Sequence, residues 1–534
     1  MNRSSLPFPA LACGGVSPSV HRRIPSPTHA HPPPAWGGNR GDPPDASPEP
    51  IVRPAGRHPA APAWIALGCC ALLWMGETLA TAGPRETRPD RQTALDRYVA
   101  APDAHYQFEL VRTQESAAGK VHTLRLISQS WLTPAEVDRT IWEHWLLVAV
   151  PREVRHATGL LFIGGGRNGS EPPPGMDGNL IRLAVETRSV VAELRNVPNQ
   201  PLVFHNDGQR RVEDDLIAYT WDRYLRTGDE RWPARLPMTK AAVRAMDAIT
   251  AFCARDGGGH TVDRFVVAGA SKRGWTTWTT AAVDDRVVAI VPVVIDVLNV
   301  EPSMRHHYAA YGFWAPAVGD YVRHGIMDWM GTREMAALLA IEDPYSYRDR
   351  YTLPKLILNA AGDQFFLPDS SRFYFDSLPG EKLLRYVPNA DHSLRQTDAF
   401  DTLKAFYASI LLNRPRPRFQ WQFDADGTLE VRTETAPRQV TFWQATNPEA
   451  RDFRVETFGT NWSARPLSGE NGRHTVRLRE PARGWTATLV ELTYDGPLDT
   501  PFKLTTPVFV VPDRTHHRFV PANPRGTPIG NRRP

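Results

Sequence analysis

The chain has 534 residues, of which 41% are hydrophobic and 22% charged, and a formal net charge of +4. At roughly 100–200 residues per domain this is an ordinary globular composition for about two to four units. Residues 1–60 hold six Arg against Asp42, Asp45 and Glu49, so +3 of the net charge sits there and the remainder is nearly balanced, which excludes a basic nucleic-acid-binding stripe and a long acidic tail.

Residues 1–60 contain 14 of the 49 prolines, including Pro32-Pro33-Pro34, and show neither helical nor strand period; they are read as a disordered extension. Residues 61–82 carry the three parts of a secretory signal. Arg53, Arg57 and His58 precede an apolar run from Ala63 to Met75, and Ala80-Thr81-Ala82 follows it. The run is shorter than the ~20 apolar residues a bilayer span needs, so the expectation is a secreted or periplasmic protein with no stable membrane span once the signal is cleaved near Gly83. The long extension ahead of the signal suggests a true start further along the chain. No Met lies between Met1 and Met75, so such a start uses a non-Met codon, Val52 being the candidate. Of the four cysteines, Cys13, Cys69 and Cys70 leave with the signal and only Cys253 remains. A disulfide-stapled fold and a Cys-based zinc site are therefore excluded.

From Tyr106 to Val150, three segments alternate in the manner of strands. Continuous apolar runs then appear at 159–163, 189–194, 264–268, 287–294 and 355–359, separated by amphipathic stretches such as 213–226 and 239–255. Uninterrupted apolar strands alternating with helices indicate an α/β core whose largely parallel sheet is covered on both faces. This core is expected over 92–412, with 299–345 as a lid-like insertion whose many aromatics either supply substrate contacts or form the lid's own core. After Asn413-Arg414-Pro415-Arg416-Pro417 the pattern changes to short strands with Gly, Asn and Asp turns, predicting a small β-sandwich over 418–515 and a disordered tail over 516–534.

The chemistry-bearing signal is Arg264-Phe265-Val266-Val267-Ala268-Gly269-Ala270-Ser271-Lys272-Arg273-Gly274-Trp275. An apolar strand runs through G-x-S into a helix, the pattern of a nucleophile elbow. The second glycine stands at +3 from the serine instead of the usual +2. The Lys272 amide at the helix N-terminus is the expected first oxyanion donor. A nucleophilic serine needs a base and an orienting acid, in the chain order Ser, acid, His for an α/β-hydrolase. Asp363 ends the strand-like run Lys355–Ala361, and His392 follows the strand-like run Leu383–Pro388. Both fall at the strand C-termini, the edge on which open α/β sheets build their sites. Asp363 is expected to orient His392, with Asp296 and Asp369 as rival acids and a helix N-cap as the better role for Asp369.

The loop Gly164-Gly165-Gly166-Arg167-Asn168-Gly169 also fits the G-x-G-x-x-G dinucleotide fingerprint. That reading needs a helix to begin there, and Pro172-Pro173-Pro174 follows instead, so Gly165, Gly166 and Asn168 are assigned to an oxyanion or substrate-binding loop. His306-His307 and His516-His517 read as solvated pairs, and Trp275 and Trp278 as packing of the elbow helix on the sheet. No cofactor or metal is implied. The expected substrate is a small molecule, a peptide or a carbohydrate ester, cleaved at an ester or amide bond. A serine peptidase is one alternative, and a secreted signalling or binding protein that keeps the fold without activity is the other.

Several longer motifs carry a resemblance. They are Ser128-Gln129-Ser130-Trp131-Leu132, Phe162-Ile163-Gly164-Gly165-Gly166, Glu193-Leu194-Arg195-Asn196-Val197-Pro198-Asn199-Gln200-Pro201, Ala234-Arg235-Leu236-Pro237-Met238, Gly269–Trp278 and Phe366-Leu367-Pro368-Asp369-Ser370-Ser371-Arg372. From about residue 92 to 510 the chain resembles the PhoPQ-activated pathogenicity-related family, which includes proteins of the autocrine proliferation repressor type. The resemblance implies an α/β-hydrolase core, a small β-rich C-terminal part and export; it implies no particular substrate. The Ser-Lys-Arg-Gly elbow is also similar to the Ser-Arg-x-Gly elbow of glucuronoyl esterases.

Overall fold

The computed structural model describes residues 92–530, all within one compact unit. The Pro-rich extension and the signal segment expected from the sequence lie outside these residues.

Helix α1 (Ala94–Ala100) leads into three long strands, β1 (Gln107–Ser116), β2 (Gly119–Ser130) and β3 (Ile141–Pro151). The parallel part follows: β4 (Thr158–Ile163), α2 (Gly178–Thr187), β5 (Val191–Leu194), α3 (Glu213–Thr227), α4 (Arg235–Ala254), β6 (Arg264–Ala270), α5 (Lys272–Val283) and β7 (Val287–Val293). Next comes a helical excursion of α6 (Val300–Tyr311), α7 (Gly319–Arg323) and α8 (Arg333–Glu342), before β8 (Lys355–Ala360), β9 (Lys382–Val387) and α9 (Ala399–Leu411). The nine strands form one sheet in the order β1-β2-β3-β5-β4-β6-β7-β8-β9. The first three are antiparallel and the rest run parallel to one another. β4, β5, β6 and β8 are buried almost throughout, because helices cover both faces and no position points to water. One apolar cluster, with Leu161, Val267, Ala241 and Trp278, fills one side of the sheet; a second, with Leu160, Val266, Leu180 and Phe406, fills the other.

The C-terminal part holds two antiparallel sheets. β10 (Phe419–Phe423), β11 (Thr428–Thr433), β14 (Gly469–Glu470) and β15 (Arg473–Arg477) form one; β12 (Gln439–Asn447), β13 (Ser463–Pro466), β16 (Trp485–Asp495), β17 (Pro501–Thr505) and β18 (Phe509–Val511) form the other. Leu429 and Val431 of the first sheet share a core with Phe442, Val490 and Leu492 of the second, so the C-terminal part is a small sandwich. Its loops reach back to the α/β core. The short helix α10 (Val455–Phe458) begins with Val455 donating its N–H to Gly362 O (2.9 Å), and Asn389 exchanges two hydrogen bonds with the Trp462 backbone (2.9 and 3.0 Å).

Residues 516–530, expected to be disordered, are instead laid across the 299–345 excursion. His517 N–H donates to Ala309 O (3.2 Å), and Phe519 packs against Tyr308 and Trp314 (centroids 5.2 and 5.0 Å). Arg525 N–H donates to Asp328 O (3.0 Å), Thr527 makes two bonds to the Glu334 carboxylate (2.8 and 2.9 Å), and Ile529 N–H reaches Gly331 O (2.9 Å). The segment has no period because it is an irregular strap: its backbone bonds to the excursion and not to itself. Among the described residues, no helix is long and apolar enough to cross a membrane.

Candidate active site

Ser271 lies between β6 and α5 with φ 57° and ψ −128°, a conformation that costs a non-glycine residue on the order of 1–3 kcal/mol. Two bonds hold it there: its N–H donates to Val293 O of β7 (2.8 Å), and its carbonyl accepts from Trp275 N–H in the first turn of α5 (2.9 Å). The turn is tight enough to require glycine on both sides. A Cβ on Gly269 would stand 2.7 Å from Arg273 O, and one on Gly274 would stand 2.9 Å from Gly269 O and 3.0 Å from Val293 O. The helix residue that meets the sheet is thus the one at +3, which accounts for the displaced second glycine.

Arg273, at +2, is buried and turns the other way. Its Nε donates to Val197 O (2.6 Å) and its Nη2 to Glu213 Oε1 (2.7 Å). A Cβ on Gly165 would lie 2.7 Å from that Nη2, so the guanidinium runs directly against the glycine loop after β4. Lys272 Nζ is buried between Glu213 (2.9 Å) and Asp214 (3.0 Å). Burial alone would lower the Lys272 pKa, but Asp214 and Glu213 outweigh it and hold the amine above its ordinary value. Lys272 is therefore a fixed cation and no base. Burial likewise opposes the Glu213 charge, yet Arg273 and Lys272 hold that carboxyl well below the usual carboxylate range.

His392 follows β9, and its Nδ1 meets Asp363 Oδ2 at 2.7 Å. Asp363 Oδ1 accepts the Phe365 N–H (2.7 Å), and the His392 N–H donates to Gln364 Oε1 (2.9 Å). A carboxylate facing Nδ1 places the ring proton on that nitrogen and leaves Nε2 as the acceptor. Nε2 is buried and bonds to no described residue. Phe365 and Phe366 pack against the imidazole (centroids 4.4 and 6.1 Å) and also line the cavity that opens on Ser271. Asp363 and His392 are thus joined directly, and Ser271 faces the same cavity wall.

The rival acids are committed elsewhere. Asp296 accepts the hydroxyls of Tyr374 (2.6 Å) and Tyr386 (2.5 Å). Complete burial pushes its carboxyl up to about 8 despite those two bonds, so it is mostly protonated at neutral pH. Asp369 is engaged by Arg451 (2.6 Å) and by His306 of α6 (3.0 Å). It occupies the position before a short 3-10 turn but makes no side-chain cap; a buried arginine from the C-terminal part claims it instead. Burial is outweighed by Arg451 and His306, which hold Asp369 well below the usual carboxylate range.

The glycine loop is fixed through its carbonyls. Gly164 O, Gly165 O and Gly166 O accept from Val197 N–H (3.2 Å), Asn196 N–H (3.0 Å) and Gln200 Nε2 (3.1 Å). The N–H groups of Gly165 and Gly166 donate to no described residue. Asn168 departs from its expected contact role: its Nδ2 donates to Pro201 O (3.1 Å) and its Oδ1 accepts from Asn196 (2.8 Å), so it braces the loop. After the glycine loop no helix begins before Gly178, and the dinucleotide alternative lacks the helix it needs.

Three further expectations change. His306 and His307 are not solvated: His306 binds Asp369, and the buried His307 accepts the Ala315 N–H (3.1 Å). Trp278 packs inside against Tyr351, but Trp275 faces the cavity beneath Arg235. The aromatics of 299–345 mostly pack on one another and on Phe519; Tyr321 lines the cavity, together with Met304, Met327, Met330 and Met335. Those methionines and Glu213 are residues that no local pattern marks. Among the described residues, no group of three or more His, Cys, Asp or Glu is placed to hold a metal ion.

The profile of the family described as PhoPQ-activated pathogenicity-related protein matches residues 95–454. The chain is 39% identical over 451 residues to autocrine proliferation repressor protein A of Dictyostelium discoideum, covering 79% of this chain and 91% of that one. Among solved structures, it is similar to acetyl xylan esterase 1 from Thermoanaerobacterium sp., with a TM-score of 0.40 and 16% identity over 56% of this chain and 86% of that chain. It is also similar to a glucuronoyl esterase from Solibacter usitatus, with a TM-score of 0.34 and 13% identity over 59% of this chain and 90% of that chain.

Proposed function

The chain belongs to the family of PhoPQ-activated pathogenicity-related proteins and has an α/β-hydrolase core, and on that premise we propose that it is an exported serine hydrolase cleaving an ester or amide through an acyl-enzyme. The observation that carries the reading is the strained backbone of Ser271 (φ 57°) at the mouth of an apolar cavity. A serine with a merely structural role has no reason to hold that conformation. His392 Nε2 accepts the Ser271 proton as Oγ bonds to the carbonyl carbon, and Asp363 stabilises the resulting imidazolium. The oxyanion is received by the Lys272 N–H at the start of α5 and by an N–H of Gly165 or Gly166. Collapse breaks the bond to the leaving group, which departs with the imidazolium proton; water, deprotonated by the same nitrogen, then releases the acid.

The buried positive charges of Lys272 and Arg273 support this arrangement without reacting. Each is neutralised by Glu213 or Asp214, and together they fix the elbow to the loop that supplies the second donor. The test is a fluorophosphonate probe. Wild type should be labelled and Ser271→Ala should not, with a loss on the order of 10⁶ in kcat on any ester substrate. Labelling that survives the substitution removes Ser271 from the role. Export, with a mature N-terminus near Gly83, is checked by mass spectrometry of the exported protein. Domain limits of 92–412 and 418–515 are part of the same proposal. One relative is named a proliferation repressor, which favours a secreted non-catalytic signalling protein as the second reading. A wild type that resists the probe decides for it.

A further inference from the structure

The cavity that opens on Ser271 has a volume of about 70 Å³ under the 299–345 excursion. This is smaller than typical small-molecule sites, roughly 300–1,000 Å³, so it admits a slender group and not a bulky one. Its wall is mostly carbon: Ile295 and Val297 from the segment after β7, Met304, Met327, Met330 and Met335 from the excursion, and aromatic rings that include Trp221, Tyr321 and Phe366. The two aliphatic and four methionine side chains are buried. The charged groups at its edge are already paired, Lys272 with Glu213 and Asp214, and Glu301 with Arg305, so the cavity offers little to a polar substituent. A sugar would leave its hydroxyls without partners there, at about 1–3 kcal/mol each.

The direction of the cavity distinguishes the two halves of a substrate. Its lining includes Ser271, Lys272 and Trp275, and it meets the His392 side only through Phe365 and Phe366, which pack on the imidazole. The leaving group must receive its proton from the imidazole, so it lies on the His392 side; the half that stays on Ser271 points away, toward the methionines. The methionine part of the wall is flexible and polarizable and adapts to a chain with many rotamers.

We propose that the acyl half of the substrate is a slender, flexible apolar chain, an aliphatic acyl group seated under Met304, Met327, Met330 and Met335. This rests on the serine-hydrolase reading above. The excursion and the 516–530 strap that lies across it form the roof of that acyl pocket. Polar groups of the substrate belong to the leaving-group side.

The experiment measures kcat/KM on p-nitrophenyl acetate, butyrate, hexanoate, octanoate and benzoate, using wild type, Ser271→Ala and two pocket-filling variants, Met330→Trp and Leu339→Trp. Thermal melts confirm that each variant is folded, and either folded filling variant suffices. Each methylene taken into the pocket should raise kcat/KM about 3- to 4-fold, or about 10²-fold from butyrate to octanoate. A filling variant should cut the octanoate-to-butyrate ratio at least about tenfold and move the optimum to a shorter chain. Ser271-dependent turnover that is flat or falls with chain length overturns the acyl pocket and leaves the hydrolase standing, as does a preference for benzoate over hexanoate. If no ester shows Ser271-dependent turnover and the fluorophosphonate probe fails to label, the hydrolase reading falls and the acyl pocket falls with it.

Discussion

Replacing Asp363 by Asn keeps size and shape and changes only charge and hydrogen-bond polarity. The carboxylate has two tasks: Oδ2 meets His392 Nδ1 at 2.7 Å and Oδ1 accepts the Phe365 N–H at 2.7 Å. An amide cannot do both as the carboxylate does. With its oxygen toward Phe365, its NH₂ faces Nδ1, drives the ring proton to Nε2 and leaves no acceptor for the Ser271 hydroxyl. With its oxygen toward His392, the NH₂ opposes the Phe365 N–H and leaves that buried donor unmet, at about 1–3 kcal/mol. The first arrangement keeps more bonds, so the expected loss is about 10⁴ in kcat with a small change in melting temperature. The assay compares Asp363→Asn, Asp296→Asn and Asp369→Asn on one ester, with thermal melts in parallel. Asp296→Asn should stay active, because a mostly protonated carboxyl bridging two tyrosine hydroxyls is close in bonding to an amide. If Asp296→Asn alone abolishes turnover in a folded protein, the acid lies after β7 and the assignment of Asp363 is wrong.

Asp296 also predicts a pH signature. Its folded-state carboxyl is pushed up to about 8, above the unfolded value of about 3.9. Its contribution to stability is therefore intact below about pH 4 and lost as pH rises toward 8, with a slope of at most ~1.4 kcal/mol per unit. Asp296→Asn should remove that slope, so its melting temperature gains on wild type between about pH 5 and 8; parallel curves refute the burial argument. Asp369 has the opposite sign. Its folded carboxyl is held well below the usual range by Arg451 and His306, so its contribution is present above the unfolded value and lost as the solution is acidified. Arg451→Ala leaves Asp369 without its main partner and should cost about 3–5 kcal/mol at neutral pH, with less difference from wild type in acid, read by denaturant unfolding. Gly274→Ala places a Cβ 2.9 Å from Gly269 O and 3.0 Å from Val293 O. Backbone cannot yield there cheaply, so about 1–3 kcal/mol is lost; an unchanged melting temperature would mean that the elbow packs less tightly than described.

The parts of this protein that the sequence makes legible are those fixed by local periodicity. The apolar runs at 159–163, 264–268 and 355–359 each become a buried strand of the central sheet, because a strand covered on both faces leaves no position for polar residues. The placement of Ser271, Asp363 and His392 after β6, β8 and β9 follows from the same logic, since parallel strands align their C-termini on one edge. What was not legible depends on contacts between distant positions. Glu213 meets Arg273 sixty residues away, and nothing around either residue announces it. Arg451 reaches Asp369 across eighty-two positions, which is why a helix cap was the simpler reading of that aspartate. The aromatics of 299–345 divide between the two roles their sequence allows: most pack on each other as the excursion's own core, and Tyr321 joins the methionines at the cavity.

Arg273 stands where most such elbows carry a glycine, and its guanidinium ties the turn to Val197 O, to Glu213 and to the surface of Gly165. The elbow is therefore not a portable hexapeptide. Transplanted into another α/β sheet without an acid at the start of the neighbouring helix, it would bring a buried cation with no counter-charge. In its own sheet, any change at Gly165 that adds a side chain must be matched by a change at Arg273. The two segments are separated by more than a hundred residues of chain, yet a side chain at position 165 and the Arg273 guanidinium compete for the same space. A search that tests each motif separately would see two imperfect matches; one that asks for the pair would find a single site.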